Sequence, residues 1–246
     1  MISLLLHFVR VGAFFAVVPI FGRNQDSRFL RLVLAIALGA MLWWVGDMRV
    51  DVPPNALAIG VVATREAVIG LALGLCFAAI YGMLTTAGEV VSLEMGFSMA
   101  QTINPDTGTS AAVISQLFQV IGALMVFALD LHHEALVIAR DTFATLPVGQ
   151  PFDVGPIWVG LQEIVSAAVQ LALRLAMPII GIMMLLSSGT VLIGRAVPSI
   201  NMMEFAFGLR ILVALGVMGF FIVESLPFVI AAYEDLFART AATFGG

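Results

Sequence analysis

Apolar residues dominate six long stretches of the chain, and most polar residues fall in the connections between them. About 20 apolar residues in a helix cross roughly 30 Å of hydrocarbon, since each residue adds about 1.5 Å. Lipid leaves backbone groups no partner outside the segment, so these stretches predict α-helices. The six predicted helices are approximately Leu4–Phe21, Phe29–Val45, Ala67–Ala87, Ala112–Leu129, Ile164–Ile193 and Phe205–Ala232.

The connections are short and contain the proline, glycine and charge that end helices. They include residues 22–28, 46–55, 145–156 and 194–201, together with a longer segment at 88–110. Pro178 and Pro227 lie inside the last two apolar stretches and predict a kink or a break in each. No repeat and no long linker is present, so we expect one all-α domain over residues 1–246.

The composition places the chain among membrane proteins. Of its 246 residues, 61% are hydrophobic and 11% are charged, whereas a soluble domain has about 25% charged residues. All eleven basic residues are arginines, the net charge is −5, and no basic patch is present that would indicate nucleic-acid binding. Cys76 is the single cysteine and is interpreted as a small packing residue.

With six spans, four arginines fall on each side of the membrane, so the positive-inside rule gives no orientation. The N-terminal stretch MISLLLHFVRVGAFFAVVPIF has no basic leader and no small-residue cleavage site. It is therefore expected to be a retained first helix rather than a cleaved signal peptide.

Several charged residues interrupt the apolar stretches, where each costs about 2.5–3.5 kcal/mol at a helix centre unless it faces protein or water. Two interpretations are open. The charges either pair at contacts between helices, or they line the path of a small secondary transporter. Structural pairing is favoured because most of these charges lie near the ends of the stretches. They are Arg10, Arg65, Glu66, Glu163, Arg174, Arg210 and Glu224.

The segment DLHHEAL at 130–136 contains metal-binding residue types, and an intramembrane enzyme using His132, His133 and Glu134 is a third alternative. Adjacent histidines on a helix point about 100° apart and fit one ion poorly, so no metal site is predicted. No catalytic triad, Walker motif or nucleophile elbow is present, so no catalytic residue, cofactor or enzymatic activity is expected. Gly70 and Gly74 form a Gly-x-x-x-Gly pattern, which favours close helix packing.

Four stretches, in order, resemble the FliR/SctT family of type III export-gate proteins. The stretch AGEVVSLEMGFSMAQTINP at 87–105 is similar to the family signature. The stretches FVRVGAFFAVVPIFG, FALDLHHEALVIARDTFATLPVG and GRAVPSINMMEFAFGLRILVALG, at 8–22, 127–149 and 194–216, resemble three further family segments. The resemblance covers essentially the whole chain, and GRAVP is more similar to the flagellar branch than to the virulence-injectisome branch.

The resemblance implies an all-α subunit of a helical channel, built from a FliP-like part and a FliQ-like hairpin that meet near residues 145–160. Its implied partners are FliP-like, FliQ-like and FlhB-like subunits, exported unfolded proteins and membrane lipids. The implied location is the bacterial inner membrane at the flagellar basal body. The implied function is to form the channel through which unfolded flagellar proteins cross that membrane.

The resemblance also implies that residues 94–111 reach into the pore and close it. Methionine adapts to irregular gaps, hydrophobic constrictions gate by dewetting, and Gly and Asn-Pro break regular structure. The predicted plug residues are Glu94, Met95, Gly96, Phe97, Met99, Asn104, Pro105, Asp106 and Gly108. The predicted polar contacts with other subunits are made by Arg10, Arg65, Glu66, Arg174, Arg195, Asn201 and Arg210.

Overall fold

The computed structural model describes residues 2–19, 25–46, 55–95, 112–197 and 202–245. Within these ranges the regular structure is helical, which confirms the all-α prediction. Seven α-helices are present in the described part of the chain, one more than the sequence predicts, because a separate helix follows the fourth apolar stretch. They are α1 (Ile2–Val17), α2 (Gln25–Gly46), α3 (Ala56–Glu94), α4 (Ala112–Ala128), α5 (Leu131–Thr145), α6 (Val154–Ala196) and α7 (Met202–Phe244).

Three of these helices, α3, α6 and α7, are long and apolar enough to cross a membrane. The bent pair of α4 and α5, broken at two residues, has the composition of a fourth span. The α1 helix and the apolar part of α2 are shorter. The six predicted stretches therefore all form helices, but the first two are not full-length spans. Pro178 and Pro227 lie inside α6 and α7, and each helix remains continuous through its proline.

The chain divides into two compact units, which are described separately. The first comprises Met1–Tyr81, Val126–Ala167 and Glu234–Gly246, and the second comprises Gly82–Met125 and Ala168–Tyr233. The expectation of a single domain over 1–246 stays a prediction.

The core of the first unit follows helical periodicity. In α1 the buried residues recur every three or four positions, as Leu6, Arg10 and Phe14 do. In α3 the buried stripe includes Ile69, Leu73 and Phe77, spaced four apart. The ring of Phe77 contacts the rings of Phe14 and Phe237, at centroid distances of 5.7 and 5.1 Å. An aromatic cluster thus joins α1, α3 and the end of α7 within this unit.

The second unit also packs through small residues. A Cβ atom at Gly88 in α3 would meet Phe118 of α4 at 2.8 Å, so the two helices approach closely there. Ala172, Ala176 and Ile179 form the buried stripe of α6 in this unit. Arg210 of α7 donates a hydrogen bond to the hydroxyl of Ser187 in α6. The close approach at Gly88 therefore connects α3 with α4, and the Arg210–Ser187 hydrogen bond connects α6 with α7.

Candidate functional site

A buried ion pair lies at the centre of the first unit. Arg10 of α1 donates from Nε to Oε2 of Glu66 in α3 over 2.6 Å, and the two side chains are only 3% and 2% exposed. Charges removed from water in this way need both a partner and further hydrogen bonds. The chain supplies both from residues far apart in sequence.

The remaining guanidinium nitrogens of Arg10 bind the end of α5. One donates to the carbonyl oxygen of Thr142 over 2.9 Å, and the other donates to the carbonyl oxygen of Leu146 over 2.8 Å. The second carboxylate oxygen of Glu66 accepts the backbone N–H of Gly149 over 3.2 Å. These five residues, Arg10, Glu66, Thr142, Leu146 and Gly149, are called the Arg10 network below. The network joins α1, α3, the end of α5 and the following loop.

Aromatic rings cover one side of the Arg10 network. The ring of Phe143 lies 4.4 Å from the guanidinium carbon of Arg10, in a cation–π contact. The ring of His7 stacks on the same phenyl ring at 4.9 Å between centroids, and its Nδ1 donates to the carbonyl oxygen of Ser3. Its Nε2 is buried without a hydrogen-bond partner. His7, Arg10 and Phe143 therefore form one layer that excludes water from the ion pair.

The C-terminal region of the chain is bonded to the same part of the first unit. The hydroxyl of Thr145, at the end of α5, donates to the carbonyl oxygen of Phe244, at the end of α7, over 2.7 Å. A cavity of about 360 Å³ lies between the loop after α5 and these residues, with Ile69 in its wall. Within the first unit, this hydrogen bond thus joins the end of α5 to the end of α7, which are 99 residues apart in sequence.

The Gly-x-x-x-Gly pattern lies where α3 meets α1, and the prediction of close helix packing there is confirmed. A Cβ at Gly70 would overlap the carbonyl oxygen of Arg10, and one at Gly74 would lie 2.9 Å from the carbonyl oxygen of Phe14. This close approach carries Arg10 to within bonding distance of Glu66, which lies one turn before Gly70.

The residues predicted to contact other subunits have different environments. Arg10 and Glu66 bond with each other inside one chain, as the favoured interpretation of interior charges anticipated. Arg210 is half-buried and bonds to Ser187 of the same chain. Arg65 is half-buried, Arg174 and Arg195 are exposed, and these three stay candidates for contacts between subunits. Asn201 lies outside the described residues.

The predicted plug lies mostly outside the described residues. Glu94 is the half-buried last residue of α3, and Met95 is fully buried directly after it. The backbone N–H of Met95 donates to the carbonyl oxygen of Val91, which continues the helical pattern by one residue. The remaining predicted plug residues, Gly96, Phe97, Met99, Asn104, Pro105, Asp106 and Gly108, lie outside the described residues.

The long apolar helices differ in how much of their surface the chain covers. In the most apolar 18-residue window of α3, 61% is buried within the chain, against 17% in α6 and 11% in α7. Large apolar side chains such as Leu185, Leu212 and Phe220 are at least 70% exposed. Apolar surface of this extent marks contact with lipid or with another protein. The last two helices therefore present extensive uncovered apolar surface, as does α2, in which Phe29 and Trp44 are 74% and 81% exposed.

The two adjacent histidines are closer together than their spacing predicts. The rings of His132 and His133 lie 4.2 Å apart between centroids, although their Cβ atoms leave the helix in directions about 100° apart. Both residues are in the first turn of α5, where no preceding turn restricts the side-chain rotamers. The two imidazoles are therefore neighbours, and the expectation that they fit one ion poorly stays a prediction.

Sequence reasoning identified the charges of the Arg10 network but missed their acceptors and donors on the backbone. Thr142 and Leu146 contribute carbonyl oxygens and Gly149 contributes an N–H, and backbone groups leave no signature in residue type. The one available signal was the presence of opposite charges, Arg10 and Glu66, in two separate apolar stretches.

The chain is similar to known bacterial export proteins over most of its length. The family described as Bacterial export proteins, family 1, matches residues 1–240 of the chain. Among similar proteins is the flagellar biosynthetic protein FliR of Bacillus subtilis, 27% identical over 98% of this chain and 92% of its own length. The FliR protein of Caulobacter vibrioides is 27% identical over 87% of this chain and 85% of its own length. The FliR protein of Escherichia coli is 24% identical over 93% of this chain and 87% of its own length. The match extends across both units, and the chain belongs to family 1 of the bacterial export proteins.

Proposed function

We propose that this chain is a core subunit of the flagellar type III protein-export gate. Together with FliP-like and FliQ-like partners, it forms the channel through which unfolded flagellar proteins cross the inner membrane. An FlhB-like subunit lies next to this channel. The single observation that carries the proposal is the family match over residues 1–240. The similar proteins named above are all flagellar biosynthetic proteins, which favours the flagellar system over a virulence injectisome.

The proposed role is that of a conduit and involves no chemical reaction by this chain. The Arg10 network holds the first unit together from inside and leaves no charge of that pair to an outside partner. The uncovered apolar surfaces of α6 and α7 are the proposed contacts with FliQ-like subunits and with lipid. These two helices correspond to the FliQ-like hairpin in this proposal, and the FliP-like part precedes the loop that begins after Thr145.

The test of this proposal is a gentle purification of the tagged chain from its native membrane, followed by mass spectrometry. We expect a stable complex that contains FliP-like and FliQ-like proteins encoded with flagellar genes. Partners encoded with a virulence secretion system would move the chain to an injectisome. Recovery of the chain alone, even after co-expression with candidate partners, would contradict the export-gate role and favour a small transporter that acts by itself.

We further propose that residues 94–111 form the plug of the channel. The segment includes the buried Met95, contains two methionines and two glycines, and has no basic residue that would hold an acidic part of a passing chain. Such a segment seals against ions through apolar side chains and yields to an exported polypeptide, because methionine repacks readily.

Deleting Asn104–Ser110 should leave the complex assembled and make the membrane permeable to ions. The shortened segment is expected to be unable to fill the pore, whereas the helices that bind the partners are unchanged. Ion flux through vesicles that contain the purified complex measures the effect. A deletion of four residues in another connection, 50–53, is the control for general damage. Ion flux equal to that of the unmodified complex would eliminate the plug.

A further inference from the structure

Three side chains with metal-binding groups meet at the break between α4 and α5. One ligand atom from each of Asp130, His132 and His133 lies within 4.8 Å of the other two. Around a tetrahedral ion with bonds of about 2.1 Å, two ligand atoms are about 3.4 Å apart. Binding one ion therefore requires the three side chains to rotate towards one another. The cluster lies within the first unit, away from the Arg10 network.

The backbone at Asp130 has an unusual conformation that supports a role for its carboxylate. Its φ is 55° and its ψ is 20°, and it is the one residue other than glycine with positive φ in the described part of the chain. A residue with a Cβ atom adopts this region at a cost of order 1–3 kcal/mol. Asp130 precedes α5, but its side chain makes no capping hydrogen bond to that helix. Its carboxylate oxygen lies 3.6 Å from Nδ1 of His133 instead.

The imidazole of His132 is held in place and has an unused nitrogen. Its ring packs against the ring of Phe127, at 5.0 Å between centroids, in the last turn of α4. Its Nδ1 is shielded from solvent and has no hydrogen-bond partner. A shielded nitrogen without a partner is costly, since its desolvation is not compensated. Coordination of an ion in this cluster gives the two neighbouring imidazoles a common partner.

We propose that Asp130, His132 and His133 form a binding site for a divalent transition-metal ion such as Zn²⁺. Two imidazoles and one carboxylate are ligands suited to zinc, cobalt or nickel, whereas magnesium and calcium prefer oxygen ligands throughout. Water completes the coordination, because Asp130 and His133 are exposed. The bound ion fixes the left-handed turn at Asp130 and so stabilises the break between the two helices.

The experiment is a titration of the full-length chain in detergent micelles, purified without a polyhistidine tag. Co²⁺ is the spectroscopic probe, since its visible absorption reports its ligands, and Zn²⁺ is then added as a competitor. The background is low because the third histidine, His7, is 1% exposed and the single cysteine, Cys76, is 0% exposed. The thermal midpoint of each variant without metal shows that it is folded.

Asp130→Asn removes the anionic ligand and keeps a side chain that tolerates positive φ. We expect this variant and His133→Ala each to bind Co²⁺ at least about tenfold more weakly, because losing even an outer-shell partner costs about 10–100-fold in metal affinity. Glu134→Gln is the matched control: it removes an exposed acid from the same turn, outside the cluster, and should bind as the unmodified chain does.

The site is supported if Co²⁺ produces an absorption band that disappears when Zn²⁺ is added. This band should be absent in the cluster variants and present in Glu134→Gln. Zn²⁺ should then also raise the thermal midpoint of the unmodified chain but not that of Asp130→Asn. An unmodified chain that gives neither a Co²⁺ band nor a Zn²⁺-dependent midpoint shift overturns the proposal. Equal binding by a chain that carries both His132→Ala and His133→Ala overturns it as well.

Discussion

Replacing Glu66 by alanine is expected to destabilise the first unit by about 3–5 kcal/mol, the usual cost of leaving one partner of a buried ion pair uncompensated. Water does not screen this pair, because the side chains of Glu66 and Arg10 are only 2% and 3% exposed. The variant also deprives the N–H of Gly149 of its acceptor. The chain offers no other carboxylate in the Arg10 network, so the charge of Arg10 stays unpaired.

The effect is measured as the thermal midpoint of the purified chain in detergent and as its abundance in membranes. At roughly 2–4 °C per kcal/mol for a chain of this size, the midpoint should fall by about 6–20 °C. Glu134→Ala is the matched control, since Glu134 is an exposed acid on α5. It should leave both quantities nearly unchanged, as surface substitutions do.

The double variant Arg10→Leu, Glu66→Leu distinguishes a specific pair from two independent effects. Buried ion pairs often exchange for apolar residues with little loss, so the double variant should be more stable than Glu66→Ala. Recovery should be incomplete, because the carbonyl oxygens of Thr142 and Leu146 lose their donor. Equal midpoints for Glu66→Ala and the unmodified chain would show that this pair does not stabilise the fold.

The sequence predicted the helical class because apolar stretches of this length have few alternatives in a membrane. It also placed the end of the fourth stretch at Leu129, one residue beyond the end of α4, but it did not predict the separate helix that follows. Asp130 adopts positive φ, a region of backbone conformation more typical of glycine and asparagine, and the chain turns there into the separate helix α5. Polar residues at 130 and 132–134 mark the end of the apolar stretch, but residue types alone do not show that a new helix begins at Leu131.

The sequence indicated which residue types form the candidate site, but not which residues bond with one another there. Arg10 and Glu66 stand out as charges within apolar stretches, but 56 residues separate them, and only the fold decides whether such a pair meets within one chain. The proximity of His132 and His133 was missed for a different reason. Helical geometry fixes the direction of Cβ, whereas the position of an imidazole depends on two further torsions.

Gly70→Ala is expected to destabilise the first unit by about 2 kcal/mol or more, at the upper part of the range for overpacking. A Cβ atom at this position would overlap the carbonyl oxygen of Arg10 and lie 2.9 Å from the Cβ of Ala13. Backbone atoms cannot rotate aside, so α1 and α3 must separate. Since Arg10 is itself the residue that is displaced, the separation also lengthens its bond to Glu66.

Gly60→Ala, in the same helix, is the matched control and should have the opposite effect. A Cβ there meets nothing within 4 Å, and alanine favours an exposed helical position over glycine by about 0.8–1.0 kcal/mol. Thermal midpoints of the two variants should therefore move in opposite directions. If both rise together, α1 does not approach Gly70 as closely as described. If the midpoint of Gly70→Ala falls while that of Gly60→Ala rises, the loss comes from the close contact of α1 with Gly70, because the two substitutions are chemically identical and only Gly70 has α1 within 4 Å of the added Cβ.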